Sequence, residues 1–255
     1  MPTFNSDGVT IRYEVAGQGP PVVLVHGFAS SLRGNWQATG WFDRLTAAGR
    51  QVIALDCRGH GESEKLYDPA AYDHNVMADD VVRLMDHLGV ERADLMGYSM
   101  GGMISLNLLI RHQDRFRSVV LAGIGGAVLG YGRPRNNETI ARALESGDPS
   151  AMADATARGF RAFAERSGND MQALAACMRR PRPTYDPAAL AGVRIPVLVV
   201  VGEQDDLAFA SADKLAAAIP GARFVTIPGK DHLTAVPDER YKQAVLEFLA
   251  AQAPA

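Results

Sequence analysis

The chain has 255 residues, of which 47% are hydrophobic and 22% charged, with 26 Lys and Arg against 29 Asp and Glu. This is the makeup of an ordinary globular protein with enough apolar material for one large core or two small ones. A net charge of −3, with no basic run longer than Arg179-Arg180-Pro181-Arg182, argues against a nucleic-acid or anionic-membrane partner.

Met1 to Gly19 has no cationic start followed by a long apolar stretch, and no apolar run approaches the ~20 residues that span a bilayer. Cys57 and Cys177, far apart in sequence, are therefore expected as reduced thiols in a cytoplasmic protein. Val9–Val15 alternates as a half-exposed strand does, whereas Pro21–Val25 and Gln51–Leu55 are continuous apolar runs, the mark of strands buried on both faces. Val76, Val81, Leu84, Met85 and Leu88 recur at helical spacing, and Gly89 ends that helix. Buried-strand runs return at Ala93–Met96 and Ser118–Ala122, with a helix over Met103–Arg111 between them.

From Ile124 to Gly192 the rhythm breaks. The segments Glu138–Glu145, Ala151–Arg166 and Met171–Met178 read as helices, followed by a proline-rich exit from Pro181 to Pro187. Strands resume at Pro196–Val201 and Ala222–Ile227, with helices over Ser211–Ile219 and Asp238–Ala251. Strands alternating with helices predict an α/β fold, a mainly parallel sheet covered on both faces. The expected organisation is a core of residues 1–123 and 193–255, with residues 124–192 inserted as a small helical cap before the last two core strands.

The run Gly97-Tyr98-Ser99-Met100-Gly101-Gly102 lies between an apolar strand and an apolar helix. A serine there sits on a tight, strained turn that lifts its hydroxyl off the sheet edge, and the N–H of Met100 points where an oxyanion would form. A serine hydroxyl needs a base, and the base needs an orienting carboxylate. His232, in the loop after the last strand, fits the base. Asp205, at the end of Val197-Leu198-Val199-Val200-Val201-Gly202-Glu203-Gln204-Asp205, fits the acid; Asp206 is its rival and Glu203 a third candidate. The N–H of Phe28, in Val25-His26-Gly27-Phe28, is the second candidate oxyanion donor.

Three motifs and their order resemble the α/β-hydrolase superfamily, in its serine esterase, lipase and small-molecule hydrolase branch: His26-Gly27-Phe28, then Asp56-Cys57-Arg58-Gly59-His60-Gly61-Glu62-Ser63, then the serine elbow. The resemblance implies an eight-stranded sheet and the chain order Ser99, Asp205, His232. It also implies that His26, Asp56, Arg58 and His60 brace loops. His74, His87 and His112, on or beside helices, are expected to face solvent. Some branches carry the acid after the strand that precedes the cap; Ile124-Gly125-Gly126-Ala127 offers no carboxylate, which favours Asp205. Asp231 next to the base is an anion that could raise its pKa.

A serine nucleophile excludes the alkyl-ester chemistry of the branches that place aspartate at the elbow. The expected activity is hydrolysis of small to medium apolar carboxylic esters through an acyl-enzyme. The alternatives are a C–C bond hydrolase, with Arg133, Arg135, Arg179 and Arg180 as candidate carboxylate binders, a cofactor-free perhydrolase or haloperoxidase, and, from another class, a non-catalytic ligand receptor. Phe28, Ile124, Met152, Phe160 and Phe163 are candidate pocket walls, as are Met100, Met171 and Met178. Neither a metal nor a cofactor is implied: the six histidines make no ligand-spaced sets, and no dinucleotide fingerprint follows the first strand. The expected partner is a small-molecule ester.

Overall fold

Apolar strands buried on both faces organise this chain around one sheet. The computed structural model describes residues 1–131, 136–148 and 153–252. In chain order the elements are β1 (Thr3–Ser6), β2 (Val9–Ala16), β3 (Pro21–Val25), α1 (Trp41–Ala47), β4 (Gln51–Leu55), α2 (His74–His87), β5 (Ala93–Tyr98), α3 (Met100–Arg111) and β6 (Phe116–Ala122). Next come α4 (Asn137–Glu145), α5 (Ala155–Arg166), α6 (Met171–Arg179) and α7 (Pro187–Leu190), then β7 (Val197–Gly202), α8 (Ala212–Ala218), β8 (Arg223–Ile227) and α9 (Glu239–Ala250).

The strands form one eight-stranded sheet in the order β1-β2-β4-β3-β5-β6-β7-β8. β2 pairs antiparallel with β1 and β4, and the remaining pairs are parallel. In the pairing of β3 with β5, Val25 stands opposite Gly97. Strand β1 is an addition to the sequence reading. Its four residues, Thr-Phe-Asn-Ser, carry a single large apolar side chain, too little for a periodic signal.

Strand alternation divides the core into two layers. Val23, Val25, Ile53, Leu55, Leu95, Val119, Leu121 and Val199 face α2, α3 and α8, against Leu84, Ile104 and Leu215. Their neighbours Val22, Leu24, Val52, Ala54, Met96, Val120, Leu198 and Val200 face α1 and α9, against Trp41, Leu45, Tyr241 and Phe248. Each Val, Leu, Ile, Met or Phe among them contributes about 1.5–3 kcal/mol by burial, set against the conformational entropy lost on ordering.

The helices between β6 and β7 start on side-chain caps. Asn136, Asp154 and Asp170 accept from the backbone N–H groups of Thr139, Ala157 and Ala173, each cap adding about 1 kcal/mol. Helix α5 starts at Ala155 on the Asp154 cap, and residues 151 and 152 of the expected helix lie outside the described residues. Asn169, buried between α5 and α6, ties this segment to the sheet's loops. Its Nδ2 donates to Ala29 O at 2.9 Å and its Oδ1 accepts from Gly61 N at 2.8 Å. Among the described residues no helix is long and apolar enough to cross a membrane.

Candidate active site

Strand β5 ends at Tyr98 and helix α3 begins at Met100, so Ser99 alone makes the turn. Its backbone sits at φ 54°, ψ −109°, a left-handed conformation that costs a non-glycine residue on the order of 1–3 kcal/mol. Close packing enforces it. A Cβ at Gly97 would lie 2.1 Å from Gly101 O, and one at Gly101 would lie 2.0 Å from Val25 O. Only glycine at both positions lets α3 approach β3 and β5 closely enough to start in this way. The Ser99 N–H donates to Ala122 O at 2.8 Å, and Ser99 O accepts from Met103 N at 3.0 Å.

Ser99 Oγ lies 2.9 Å from His232 Nε2, and His232 Nδ1 lies 2.7 Å from Asp205 Oδ2. The carboxylate can only accept, so the neutral ring carries its proton on Nδ1; Nε2 is then the acceptor that faces the serine hydroxyl. Asp205 is fully buried, and its other oxygen accepts from Leu207 N at 3.0 Å. Asp206 is exposed. Glu203 turns to Thr226 Oγ1 and Gly229 N on the far side of the loop. Of the three carboxylates, the structure places Asp205 on the imidazole.

Two groups hold the histidine loop. Asp231 Oδ1 accepts from Leu233 N at 2.9 Å and from Thr234 N and Oγ1, each at 2.8 Å. These bonds, those from Thr234 foremost, hold its carboxyl below the usual aspartate range. The Tyr98 hydroxyl donates to His232 O, and the Tyr98 ring lies 5.3 Å from the imidazole. Burial pushes the Tyr98 phenol well above its ordinary value, which keeps it a donor.

The loop after β3 is fixed from several sides. His26 Nε2 accepts from Cys57 N at 2.9 Å, so Nδ1 carries the proton and donates to Gly27 O at 2.8 Å. Ser30 N donates to the same carbonyl at 3.2 Å, and Asn35 Oδ1 accepts from Gly27 N at 3.0 Å. A trans peptide whose carbonyl is anchored in this way aims its N–H, here that of Phe28, in the opposite direction. Among the described residues, the N–H groups of Phe28 and Met100 make no backbone hydrogen bond. Burial, outweighing Asp56, lowers the pKa of His26, and burial lowers that of His60 further below the ordinary value. Asp56 accepts from Leu32 N and Glu62 N, Arg58 forms a two-point pair with Asp80, and His60 Nδ1 bonds Arg58 O. All four residues serve the loops beneath the site.

Ser99 and His232 open into a cavity of about 550 Å³. Phe28, Phe160 and Phe163 line it, with the rings of Phe28 and Phe160 5.8 Å apart, edge to face. Leu207, Leu233 and Val236 complete much of the apolar wall. Four expected wall residues lie elsewhere. Ile124 is buried against Gly102, where an added Cβ would meet it at 3.0 Å. Met100 and Met178 belong to the sheet-side core, and Met171 packs against it. Met152 lies outside the described residues, as do Arg133 and Arg135. Arg179 pairs with Glu138 and Glu145, and Arg180 is buried with its guanidinium on Cys177 O, so neither reaches the cavity. Of the remaining histidines only His87 is exposed; His74 and His112 are half-buried. Cys57 and Cys177 are both free and buried.

Sequence reasoning missed Tyr98 and Asn35. Tyr98 stands at the variable position of the elbow, and Asn35 in an irregular turn whose contact with Gly27 no spacing rule announces. Among the described residues no group of three or more His, Cys, Asp or Glu could hold a metal ion.

A sequence model of the alpha/beta hydrolase fold matches residues 20–182. The chain is 32% identical to the non-heme chloroperoxidase CPO-A1 of Kitasatospora aureofaciens, over 95% of this chain and 97% of that one. It is 31% identical to the dihydrolipoyllysine-residue acetyltransferase component of the acetoin cleaving system of Pseudomonas putida, over 93% of this chain but only 65% of the relative's length. Among solved structures, the enol-lactonase from Burkholderia xenovorans LB400 superposes with a TM-score of 0.82 at 25% identity, covering 98% of this chain and 100% of that one.

Proposed function

The chain belongs to the alpha/beta hydrolase fold family, and from that premise we propose that it is a serine hydrolase that cleaves small to medium carboxylic esters through an acyl-enzyme. One observation carries the reading: the continuous path from buried Asp205 through His232 to Ser99 Oγ, at 2.7 Å and 2.9 Å. A solvated loop histidine has no need of a fully buried carboxylate behind it and a strained serine in front.

In the proposed cycle Ser99 Oγ attacks the ester carbonyl carbon while its proton passes to His232 Nε2. The carbonyl oxygen becomes an oxyanion facing the N–H groups of Phe28 and Met100, each such donor lowering the barrier by roughly 3–4 kcal/mol. The carbon–oxygen bond to the alcohol breaks as His232 returns the proton to that oxygen. Water then gives a proton to His232 and attacks the acyl carbon; the Ser99 oxygen leaves and takes the proton back. Asp205 stays ionised throughout and stabilises the imidazolium. The apolar walls from Phe28, Phe160 and Phe163 support an apolar acyl or alcohol portion.

The test is labelling by a fluorophosphonate with Ser99→Ala as control, followed by turnover of nitrophenyl esters from acetyl to palmitoyl. Labelling that depends on Ser99, with turnover of the shorter esters, is the expected result. No labelling would sink the proposal. The full-length similarity to a non-heme chloroperoxidase supports a second reading, in which hydrogen peroxide replaces water at the acyl-enzyme and yields a peracid. Peracid release from a carboxylic ester and peroxide, measured beside hydrolysis, separates the two.

A further inference from the structure

Among the described residues that line the cavity, Arg166 is the only Lys, Arg, Asp or Glu. It stands in the last turn of α5, exposed, at the end of a stripe that also presents Thr156, Phe160 and Phe163 to the same space. Phe160 touches Phe28 beside the candidate oxyanion donors. Six residues along a helix are about 9 Å of rise, and an arginine side chain leans back toward the helix start. Arg166 therefore stands on the same helix wall as Phe160 and Phe163, in the cavity that Ser99 also lines, with its backbone about 9 Å along the helix from Phe160.

The other arginines of these helices are engaged. Arg142 pairs with Glu138, Arg161 with Glu165, and Arg179 with Glu138 and Glu145. Among the described residues Arg166 has no carboxylate partner, and the stretches outside them contain no Asp or Glu. An unneutralised cation on an apolar cavity wall makes the local potential positive, which attracts an anion. A single guanidinium matches a carboxylate in charge and in two-point geometry.

We infer that the cavity takes an ester whose far end carries a carboxylate, held at Arg166 while its hydrocarbon linker lies along Phe163 and Phe160. The substrate class is the half-ester of an α,ω-dicarboxylic acid. The inference rests on the reading of Ser99 as the acyl acceptor, and binding tests it whether or not the ester is cleaved.

Calorimetric titration of Ser99→Ala protein with monoethyl esters of the succinate-to-suberate series, each against the neutral ethyl alkanoate of equal length, reads the subsite. At about 20 mM salt the best half-ester is expected to bind about 2- to 5-fold tighter than its neutral counterpart, the range of an exposed ion pair, and about 0.5 M salt is expected to erase most of the difference. Adding Arg166→Ala should bring the ratio to near one, Arg166→Lys should restore part of it, and Arg166→Glu should invert it. No preference at any length, or a preference that survives Arg166→Ala, overturns the inference. Fluorophosphonate labelling of Ser99 without half-ester preference removes the carboxylate subsite and leaves the hydrolase reading intact; preference without labelling does the reverse.

Discussion

The Tyr98 hydroxyl donates to the backbone carbonyl of His232, so the residue immediately before the candidate nucleophile holds the candidate base. The contact extends into the core. Tyr98 lies against Tyr241, Tyr241 packs on Trp41 at 4.8 Å, and Trp41 Nε1 donates to Val236 O at 2.9 Å. The histidine loop thus rests on an aromatic pillar that rises from the layer of α1 and α9.

Tyr98→Phe keeps that pillar and removes the hydrogen bond. A buried hydrogen bond is worth about 1 kcal/mol, and the orphaned carbonyl adds to the loss. Ester turnover is expected to drop about 5- to 10-fold in kcat with little change in KM, and the melting temperature to fall by a few degrees. Steady-state kinetics beside a thermal melt checks this; an unchanged kcat would show that the histidine loop holds its position without the tyrosine.

Asp205 and Asp206 separate orientation from proximity in sequence. Asp205 is buried on the imidazole, and Asp206 is exposed. Asp205→Asn reverses the hydrogen bond that fixes the ring's tautomer and is expected to slow acylation by about 10³- to 10⁴-fold. Asp206→Asn should cost less than about 3-fold. Equal, mild losses in stopped-flow acylation would assign the role to another group.

Glycines at two sites should respond in opposite senses. At Gly101 an added Cβ would lie 2.0 Å from Val25 O, whereas at Gly159, inside α5, it meets nothing within 4 Å. Gly101→Ala is expected to prevent stable folding or to lower the denaturation midpoint severely. Gly159→Ala should stabilise by about 0.5–1 kcal/mol through helix propensity. Because Gly159 also lines the cavity, the methyl group should shift preference toward smaller esters. Urea titrations and an ester panel measure both effects.

Buried His26 and His60 make stability depend on pH. Burial lowers both pKa values in the folded state. As pH falls below the ordinary histidine value of about 6.5, the unfolded chain takes up protons that the folded chain does not. Stability should therefore decline from pH 7 toward pH 5, by up to about 1.4 kcal/mol per pH unit for each histidine that stays neutral. His26→Gln, which can still accept from Cys57 N and donate to Gly27 O, should flatten the decline. Urea midpoints independent of pH over this window would count against the assignment.

The buried parallel strands were legible in sequence because both faces demand apolar residues, which leaves unbroken runs such as Val197–Val201. The neighbourhood of Ser99 was legible because strain and close approach permit few residue types there, and the resemblance ordered Asp205 and His232 behind it. Helix α1 escaped notice: Trp41, Phe42 and Leu45 are its buried positions, and seven residues are too few to establish a period. The cavity wall was the least legible part. Leu207, Leu233 and Val236 come from two separate loops, and no periodicity links positions that meet only after folding. Ile124 shows the converse error, an apolar residue near the site in sequence that is spent on packing against Gly102.

Val25 and Gly97 share one rung of the sheet, and from that rung depart both the turn bearing Ser99 and the loop bearing Phe28. Their spacing is inherited from the backbone ladder. The opposite wall, with Phe160, Phe163 and Arg166, hangs on a separate helix moored through Asn169. Reactivity and selectivity are thus written in different parts of the polypeptide, and a lineage can exchange one substrate for another by rewriting α5 while the attacking oxygen stays where the ladder put it.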